Sequence, residues 1–197
     1  MKVILKKAPR TPSSSEPLTR ERWTEAAMEV LVDSGIDHVR VDALAAQLCV
    51  TRGSFYHHFR DREDLLRAVL RSWQEQATEA LTARLAAASR DPMERLFDVL
   101  SLPFHGRAAQ RAANIELGIR AWARRDDMAR EVVDQADDAR MQHIANQFEA
   151  LGYAHGEARV RAGLLYGYNV AQSLITELKT KVDRRVRLAA VIRLLTD

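Results

Sequence analysis

The chain has 197 residues, of which 47% are hydrophobic and 29% charged, with 8 Gly, 5 Pro and a net charge of +3. This composition is typical of a mostly helical protein, and the length suits either one large domain or, as we expect, a small domain joined to a larger one. A single cysteine, Cys49, excludes an internal disulfide, and no apolar run approaches the roughly 18 residues that a membrane span needs. We therefore expect a cytoplasmic protein without a membrane partner.

Residues 1–17 form a polar segment that precedes the first helical pattern. Four basic residues, among them Lys6 and Lys7, stand before Pro12 and a run of three serines. Such a segment offers too little apolar surface to order itself by burial. We predict a flexible basic arm over residues 1–17.

Two helices are predicted next. Thr19 is a suitable N-cap for the first, whose apolar residues recur at helical spacing until Gly35 ends it. A second, shorter helix is predicted from Val41 to Leu48.

A turn at Cys49 and Val50 leads into the third helix. Thr51 can cap this helix, which we predict to run to about Phe59. A long fourth helix is expected to begin near Arg62.

The rest of the chain also has helical periodicity. Asp91 and Pro92 are a typical helix start, because proline is tolerated in a first turn and aspartate can cap it. Further helices are predicted over residues 126–151, 159–178 and 182–195. Gly152 is expected to end the first of these three.

The predicted third helix has two different sides. At about 100° per residue, Phe55 and Phe59 share one side and are predicted to point into the core. Gly53, His57 and Arg60 lie on the opposite side. An outer side with a glycine for close approach, followed by polar and cationic side chains, suits the major groove of DNA.

The same stretch offers contacts to the DNA backbone. Thr51 and the free amides near it can meet one phosphate, and the Tyr56 hydroxyl and the Arg62 guanidinium can meet others. With the helix before it, the third helix would form a helix-turn-helix. The predicted DNA-binding residues are Thr51, Arg52, Gly53, Ser54, Tyr56, His57, His58 and Arg62.

The stretch AAQLCVTRGSFYHHFRDREDLL, residues 45–66, resembles the TetR family of bacterial transcriptional regulators. Its most specific part is the pattern G-x-F-Y-x-H-F at residues 53–59. The resemblance covers roughly residues 19–70, and residues 115–123 are more loosely similar to the family's later part.

This resemblance implies an all-α fold with two units. A three-helix helix-turn-helix domain would occupy residues 18–70, and a larger helical ligand-binding and dimerisation domain would occupy residues 71–197. The implied function is that of a repressor, without enzymatic activity or a cofactor, which a small-molecule effector releases from double-stranded DNA. A homodimer joined through its last two helices would bind a pseudo-palindromic operator. Gly163, Gly167 and Ala171 would permit close approach of helices there, although internal packing explains them equally well.

Three positions depart from the family pattern. Cys49 stands where glycine is usual, in a turn that often needs positive φ, at a cost of about 1 kcal/mol for a residue with a side chain. Arg40 stands where Ser or Thr usually caps the second helix, and Asp42 where a basic residue is common.

Some large side chains of the later part could line a largely apolar pocket between helices, and such a pocket would bind a largely apolar effector. The alternative is that they simply form the core. These candidate ligand-binding residues are Phe104, Trp122, Met141, His143, Phe148, Tyr166 and Tyr168.

Two other classes of function compete with DNA binding. A metal site at Cys49, His57 and His58 is disfavoured, because adjacent histidines on a helix point about 100° apart. The sequence also lacks HExxH and GxxxxGK[ST] motifs, so we expect no metal site and no catalytic site. The remaining rival is a helical small-molecule-binding protein or enzyme that does not bind DNA.

Overall fold

Residues 18–79, 91–101, 106–174 and 184–197 are described by the computed structural model, and within these ranges all regular structure is helical. The all-α prediction is thereby confirmed. The predicted arm at residues 1–17 lies outside the described residues. The helices are α1 (Arg20–Ser34), α2 (Val41–Gln47), α3 (Arg52–Tyr56), α4 (Arg62–Gln74), α5 (Pro92–Ser101), α6 (Gly106–Ala123), α7 (Asp127–Ala150), α8 (His155–Leu174) and α9 (Arg184–Thr196).

Helices α1 to α4 pack around an aromatic centre. The Trp23 and Phe55 side chains are fully buried, and their ring centroids lie 5.3 Å apart in an edge-to-face arrangement. Phe59 stacks on Phe55 at the same centroid distance. The prediction that Phe55 and Phe59 point into the core is therefore confirmed, and their burial fixes which side of α3 faces outward.

Helix α3 is shorter than predicted. It ends at Tyr56 instead of Phe59, because His57 and His58 form a tighter turn in which the amides of His58 and Phe59 both donate to the Phe55 carbonyl. The extended backbone of Asp61 then starts α4, and its carboxylate accepts from the Asp64 amide at 2.8 Å. Thr51 occupies the N-cap position of α3, but its side chain makes no capping hydrogen bond there.

Short turns flank α2 on both sides. A short 3-10 turn, Ile36–His38, precedes α2 and was not predicted. As expected, Arg40 gives α2 no side-chain cap. Cys49, after α2, has φ 57°, so the expected positive φ at this glycine-like position is confirmed.

The predicted starts of α5 and α7, and the predicted end of α7, are also confirmed. Asp91 accepts from the Met93 amide at 3.1 Å where α5 begins. Asp126 caps α7 by accepting from the Ala129 amide at 2.9 Å, and Gly152 beyond its end has φ 97°. These ends agree closely with the predicted helix at residues 126–151.

Helix α8 differs from its prediction in both bounds and packing. It begins at His155, four residues earlier than predicted, and the predicted end at residue 178 lies outside the described residues. Val160 and Leu164, on which the prediction rested, are 64% and 60% exposed. The buried side of α8 is formed instead by Ala158, Ala162 and Leu165.

Two apolar cores organise the described residues. The first joins α1 to α4 with α6 and α7 through Ile119, Trp122 and Val133. The second lies between α5, α7, α8 and α9. The predicted boundary at residue 70 falls inside α4, which continues to Gln74 and into a π-helical turn, Glu75–Glu79. The two predicted units therefore share α4 and the first core.

Within the described ranges, no helix is both long enough and apolar enough to cross a membrane.

The strained turn at Cys49 gives a test of stability. Cys49→Gly should raise the free energy of unfolding by about 1 kcal/mol, because glycine adopts positive φ without the clash of a Cβ atom. Thermal or urea unfolding measures the difference. Cys49→Ala is the matched control: it removes the thiol but keeps Cβ, so it should bring no such gain. Equal stabilisation by both variants would contradict the strain.

Candidate nucleic-acid interface

The outer side of α3 is accessible over its whole length. Tyr56 is 53% exposed, although large aromatic side chains are usually buried, and Arg52, Gly53 and His57 are exposed beside it. Thr51 and Arg62 are also exposed, whereas Ser54 and His58 are half-buried. The structure thus brings the eight predicted DNA-binding residues together around one short helix.

Arg52 is held by neighbours on two helices. Its Nε lies 3.2 Å from a carboxylate oxygen of Asp42 on α2. A hydrogen bond with Tyr56, followed by the charge of Asp42, raises the pKa of Arg52. Because this pair is exposed, its contribution to stability is small, and the guanidinium can exchange Asp42 for a stronger acceptor.

Gly53 has open space where a side chain would be. A Cβ atom built on it would approach the Thr51 hydroxyl no closer than 3.7 Å, which is ordinary van der Waals contact. Nothing in the fold therefore requires glycine at this position.

Arg62 holds the turn before α2. Its Nε donates to the Val39 carbonyl at 2.6 Å and its Nη2 to the Ile36 carbonyl at 2.8 Å. A guanidinium has five N–H donors, so these two bonds leave others available. The phosphate contact predicted for Arg62 stays a prediction. Its two bonds to the turn before α2, which we call the brace of Arg62, are an additional role that the sequence did not reveal.

Arg20 was missed entirely, and it holds the turn after α3. Its guanidinium donates to the His58 carbonyl, pairs with Asp64 at 2.8 Å and lies 4.1 Å from the centre of the Phe59 ring. The Arg60 amide donates to the same carboxylate, and this bond, followed by that from Arg20, lowers the pKa of Asp64. No local sequence signal could have revealed this role of Arg20, because its partners His58 and Asp64 are 38 and 44 residues away along the chain.

A second set of polar side chains lies between α6, α7 and α8. We call Glu116, Arg120, Asp137, Arg140 and Tyr166 the buried charge cluster, since its charged side chains are only 13 to 24% exposed. Arg120 donates to Glu116 at 2.8 Å and to Asp137 at 2.9 Å, and Arg140 donates to both oxygens of Glu116 at 2.9 and 3.1 Å. Two arginines and two carboxylates balance, so the cluster is close to neutral.

Tyr166 closes the buried charge cluster. Its hydroxyl donates to Asp137 at 2.6 Å and accepts from Arg120 at 2.8 Å and Arg140 at 3.0 Å. Burial, assisted by the bond to Asp137, raises the pKa of Tyr166 to about 12. Burial also raises the pKa of Asp137, but the bonds from Arg120 and Tyr166 lower it by more. Asp137 is therefore charged and Tyr166 is neutral at pH 7.

Arg140 connects this cluster to the end of α4. Its Nε donates to the Thr78 hydroxyl at 3.1 Å and its Nη2 to the Ala77 carbonyl at 3.2 Å, both in the π-helical turn. Its guanidinium also lies 5.4 Å from the centre of the Trp73 ring. Arg140, on α7, thus joins the end of α4, the helix that follows the candidate DNA-binding face, to α6 and α8.

The predicted ligand-binding residues do not form one site. Trp122 is buried in the first core, whereas Phe148 is buried in the second, with Tyr166 and Tyr168 packed against it. The hydroxyl of Tyr166 is fully engaged in the buried charge cluster. Met141 and His143 are half-buried on α7, and Phe104 lies outside the described residues.

Comparison with known proteins places these helices in a family. The family described as "Bacterial regulatory proteins, tetR family" matches residues 24–69, which lie within α1 to α4. The chain is 33% identical over 92 residues to the HTH-type transcriptional regulator TtgW of Pseudomonas putida, covering 40% of this chain and 69% of TtgW. The chain belongs to the TetR family. It is a transcriptional regulator and not an enzyme.

The transcriptional regulator SrpR of Pseudomonas putida is also 33% identical over 92 residues, but the match spans only 43% of its length. Solved structures extend the likeness in fold to most of the chain. A transcriptional regulator from Rhodococcus sp. Rha1 has a TM-score of 0.71 at 21% identity, covering 91% of this chain and 94% of that one. AibR, solved with isovaleryl coenzyme A and operator DNA, has a TM-score of 0.66 at 16% identity, covering 90% and 97%.

Arg140 gives a test of the buried charge cluster. Arg140→Met should lower the free energy of unfolding at pH 7 by about 3 kcal/mol, because it leaves Glu116 buried without its bidentate partner. Urea denaturation measures the loss. Arg130→Met on the same helix is the matched control, since the Arg130–Asp134 pair is half exposed and should change stability undetectably. Equal effects of the two variants would show that the cluster stabilises nothing beyond a surface pair.

Proposed function

We propose that this regulator is a cytoplasmic homodimeric repressor that binds a pseudo-palindromic operator and is released by a small, largely apolar effector. The observation that carries the proposal is the two-sided third helix. Buried Phe55 and Phe59 fix its inner side, and Arg52, Gly53, Tyr56 and His57 are exposed on its outer side. Helix-turn-helix proteins place such a helix in the major groove.

In the proposed complex, residues of the outer side divide by role. Arg52 and His57 read base edges, with Gly53 allowing close approach and Ser54 beside them. Tyr56, Thr51 and Arg62 contact phosphates, and His58 lies at the flank of the face. The braces formed by Arg20 and Arg62 support this division, because they hold both turns around α2 and α3 in place before DNA is present.

The exposed side of α8 supports the dimer. Val160, Gly163, Leu164 and Gly167 recur at helical spacing, and all four are exposed. A Cβ atom built on either glycine would meet nothing within 4 Å, so these glycines do not serve packing within the chain. Val186 and Leu194 on α9 are also exposed apolar residues. A second copy that packs α8 and α9 against the same helices would cover them.

The effector would act through the shared helix α4. AibR has the same fold and was solved with both an acyl coenzyme A and operator DNA. Ligand binding between α7 and α8, near Met141, His143, Phe148 and Tyr168, would move these helices against each other. The buried charge cluster would pass that movement to the end of α4 and change the separation of the two α3 helices.

Selection of bound sequences from random duplex DNA by the purified protein tests this function. We expect an enriched palindrome whose half-sites lie about 34 Å apart, one helical turn of DNA. Arg52→Ala and His57→Ala should relax the selected sequence at defined positions, while Tyr56→Phe should weaken binding to all sequences alike. Absence of any enriched sequence would contradict the proposal.

Gly53→Ala separates DNA binding from folding on the selected operator. The variant should unfold at the same or a higher temperature, because alanine favours a helix and space is open, yet bind the operator roughly tenfold or more weakly if the backbone approaches the bases. Gly156→Ala is the matched control: Gly156 is also the second residue of a helix with open space around it. Unchanged operator affinity in Gly53→Ala would argue against close approach.

Leu164→Glu tests the dimer. The added charge should convert dimers to monomers in sedimentation velocity, because a carboxylate buried at an apolar interface would lose its hydration without a partner. The monomer should also bind the palindromic operator more weakly. Ala121→Glu on α6, another exposed apolar position, should leave the sedimentation coefficient unchanged. A Leu164→Glu protein that still sediments as a dimer would place the interface elsewhere.

A further inference from the structure

Helix α8 has buried polar atoms with no hydrogen-bond partner in the part of the chain that the structure describes. Tyr168 is only two residues from Tyr166, but its buried hydroxyl makes no hydrogen bond. The Asn169 amide donates to the Val99 carbonyl of α5 at 3.0 Å, and its Oδ1 is unpaired. Gln172 is 3% exposed, and both polar atoms of its amide are unpaired. We call these three residues the unpaired face of α8.

The three residues share one side of the helix. At 100° per residue, residues 168, 169 and 172 fall within about 100° of one another. The Tyr166 hydroxyl, by contrast, is hydrogen-bonded within the buried charge cluster. Native proteins leave few buried polar atoms unpaired. Four such atoms within little more than one turn therefore point to a molecule that completes them.

The chemistry of the unpaired face is that of neutral hydrogen bonding. It offers the Tyr168 hydroxyl, the Asn169 carbonyl oxygen and the complete Gln172 amide, which together can donate and accept but carry no charge. The face adjoins the apolar second core, because Tyr168 packs against that core and Asn169 bonds to Val99, which is buried in it. This face would give an apolar molecule a place for one polar head group.

Helix α7 has a buried, unpaired group that is also neutral. The Nε2 of His143 is buried without a partner, and burial, followed by the charge of Arg95, lowers the pKa of His143. Arg95 itself is engaged, since it donates to Gln147 at 3.3 Å. A charged ligand at the unpaired face would lose its hydration without a free counter-charge among the described neighbours, which is strongly unfavourable.

We propose that the unpaired face of α8 binds the head group of an uncharged effector, an apolar molecule that ends in a carboxamide or a similar group able to donate and to accept. Gln172 pairs with this group through both atoms of its amide, and Tyr168 and Asn169 complete it. Calling the molecule an effector rests on the proposed function, but its binding is measured without DNA, so the two can fail separately.

Three probes with the same eight-carbon chain test the charge of the ligand: octanamide, octanoate and octyltrimethylammonium. Isothermal titration calorimetry on the full-length protein at pH 7 should show octanamide binding about tenfold or more tightly than either charged probe. Equal or tighter binding of a charged probe would overturn the proposal, as would the absence of octanamide binding up to its solubility limit.

Gln172→Leu tests the residue that the proposal depends on most. It should weaken octanamide binding about tenfold or more, and it should raise the midpoint of thermal unfolding of the ligand-free protein by about 2 to 4 °C, since an unpaired buried amide is removed. Gln135→Leu, at an exposed glutamine of α7, is the matched control and should change neither. A lower unfolding midpoint for Gln172→Leu, with unchanged octanamide binding, would show that water or the protein itself already pairs Gln172, and would overturn the proposal.

Discussion

The position of α4 depends on one buried cation, Arg140. A guanidinium that is largely removed from water must be paired, and all of its N–H groups must find acceptors. Arg140 finds them on three other elements: Glu116 on α6, Tyr166 on α8 and the Ala77 and Thr78 groups beyond α4. These elements cannot shift independently without breaking a charged hydrogen bond. The first core is therefore joined to the later helices by directional bonds as well as by apolar contact.

The sequence contained enough information to predict the candidate DNA-binding half. Phe55 and Phe59 are four residues apart, and the side of α3 that they bury follows from helical geometry alone. The positive φ of Cys49 was expected from the resemblance to the TetR family, in which glycine is usual at this position. The braces of Arg20 and Arg62 could not be predicted, because their partners are 23 to 44 residues away and arginines at exposed positions give no local signal.

In the later helices, periodicity showed where helices lie but not what covers each side. Val160 and Leu164 have the spacing of residues that face a core, yet they are exposed. Spacing alone could not predict this, because an apolar stripe has the same pattern whether it packs within the chain or against another molecule. Tyr166 and Tyr168 are the same residue type, two positions apart. One is fully hydrogen-bonded in a charged cluster and the other is unpaired, and this difference depends on partners from α6 and α7 that no spacing along α8 reveals.

The π-helical turn at residues 75–79 sets the angle at which α4 ends. In an uninterrupted α-helix, Trp73 and Thr78, five positions apart, would point about 140° away from each other. The wider turn holds one extra residue, and both side chains come to face Arg140, with the Trp73 ring at 5.4 Å and the Thr78 hydroxyl at 3.1 Å. The turn thus allows a single guanidinium to contact two side chains that an uninterrupted helix would point in different directions.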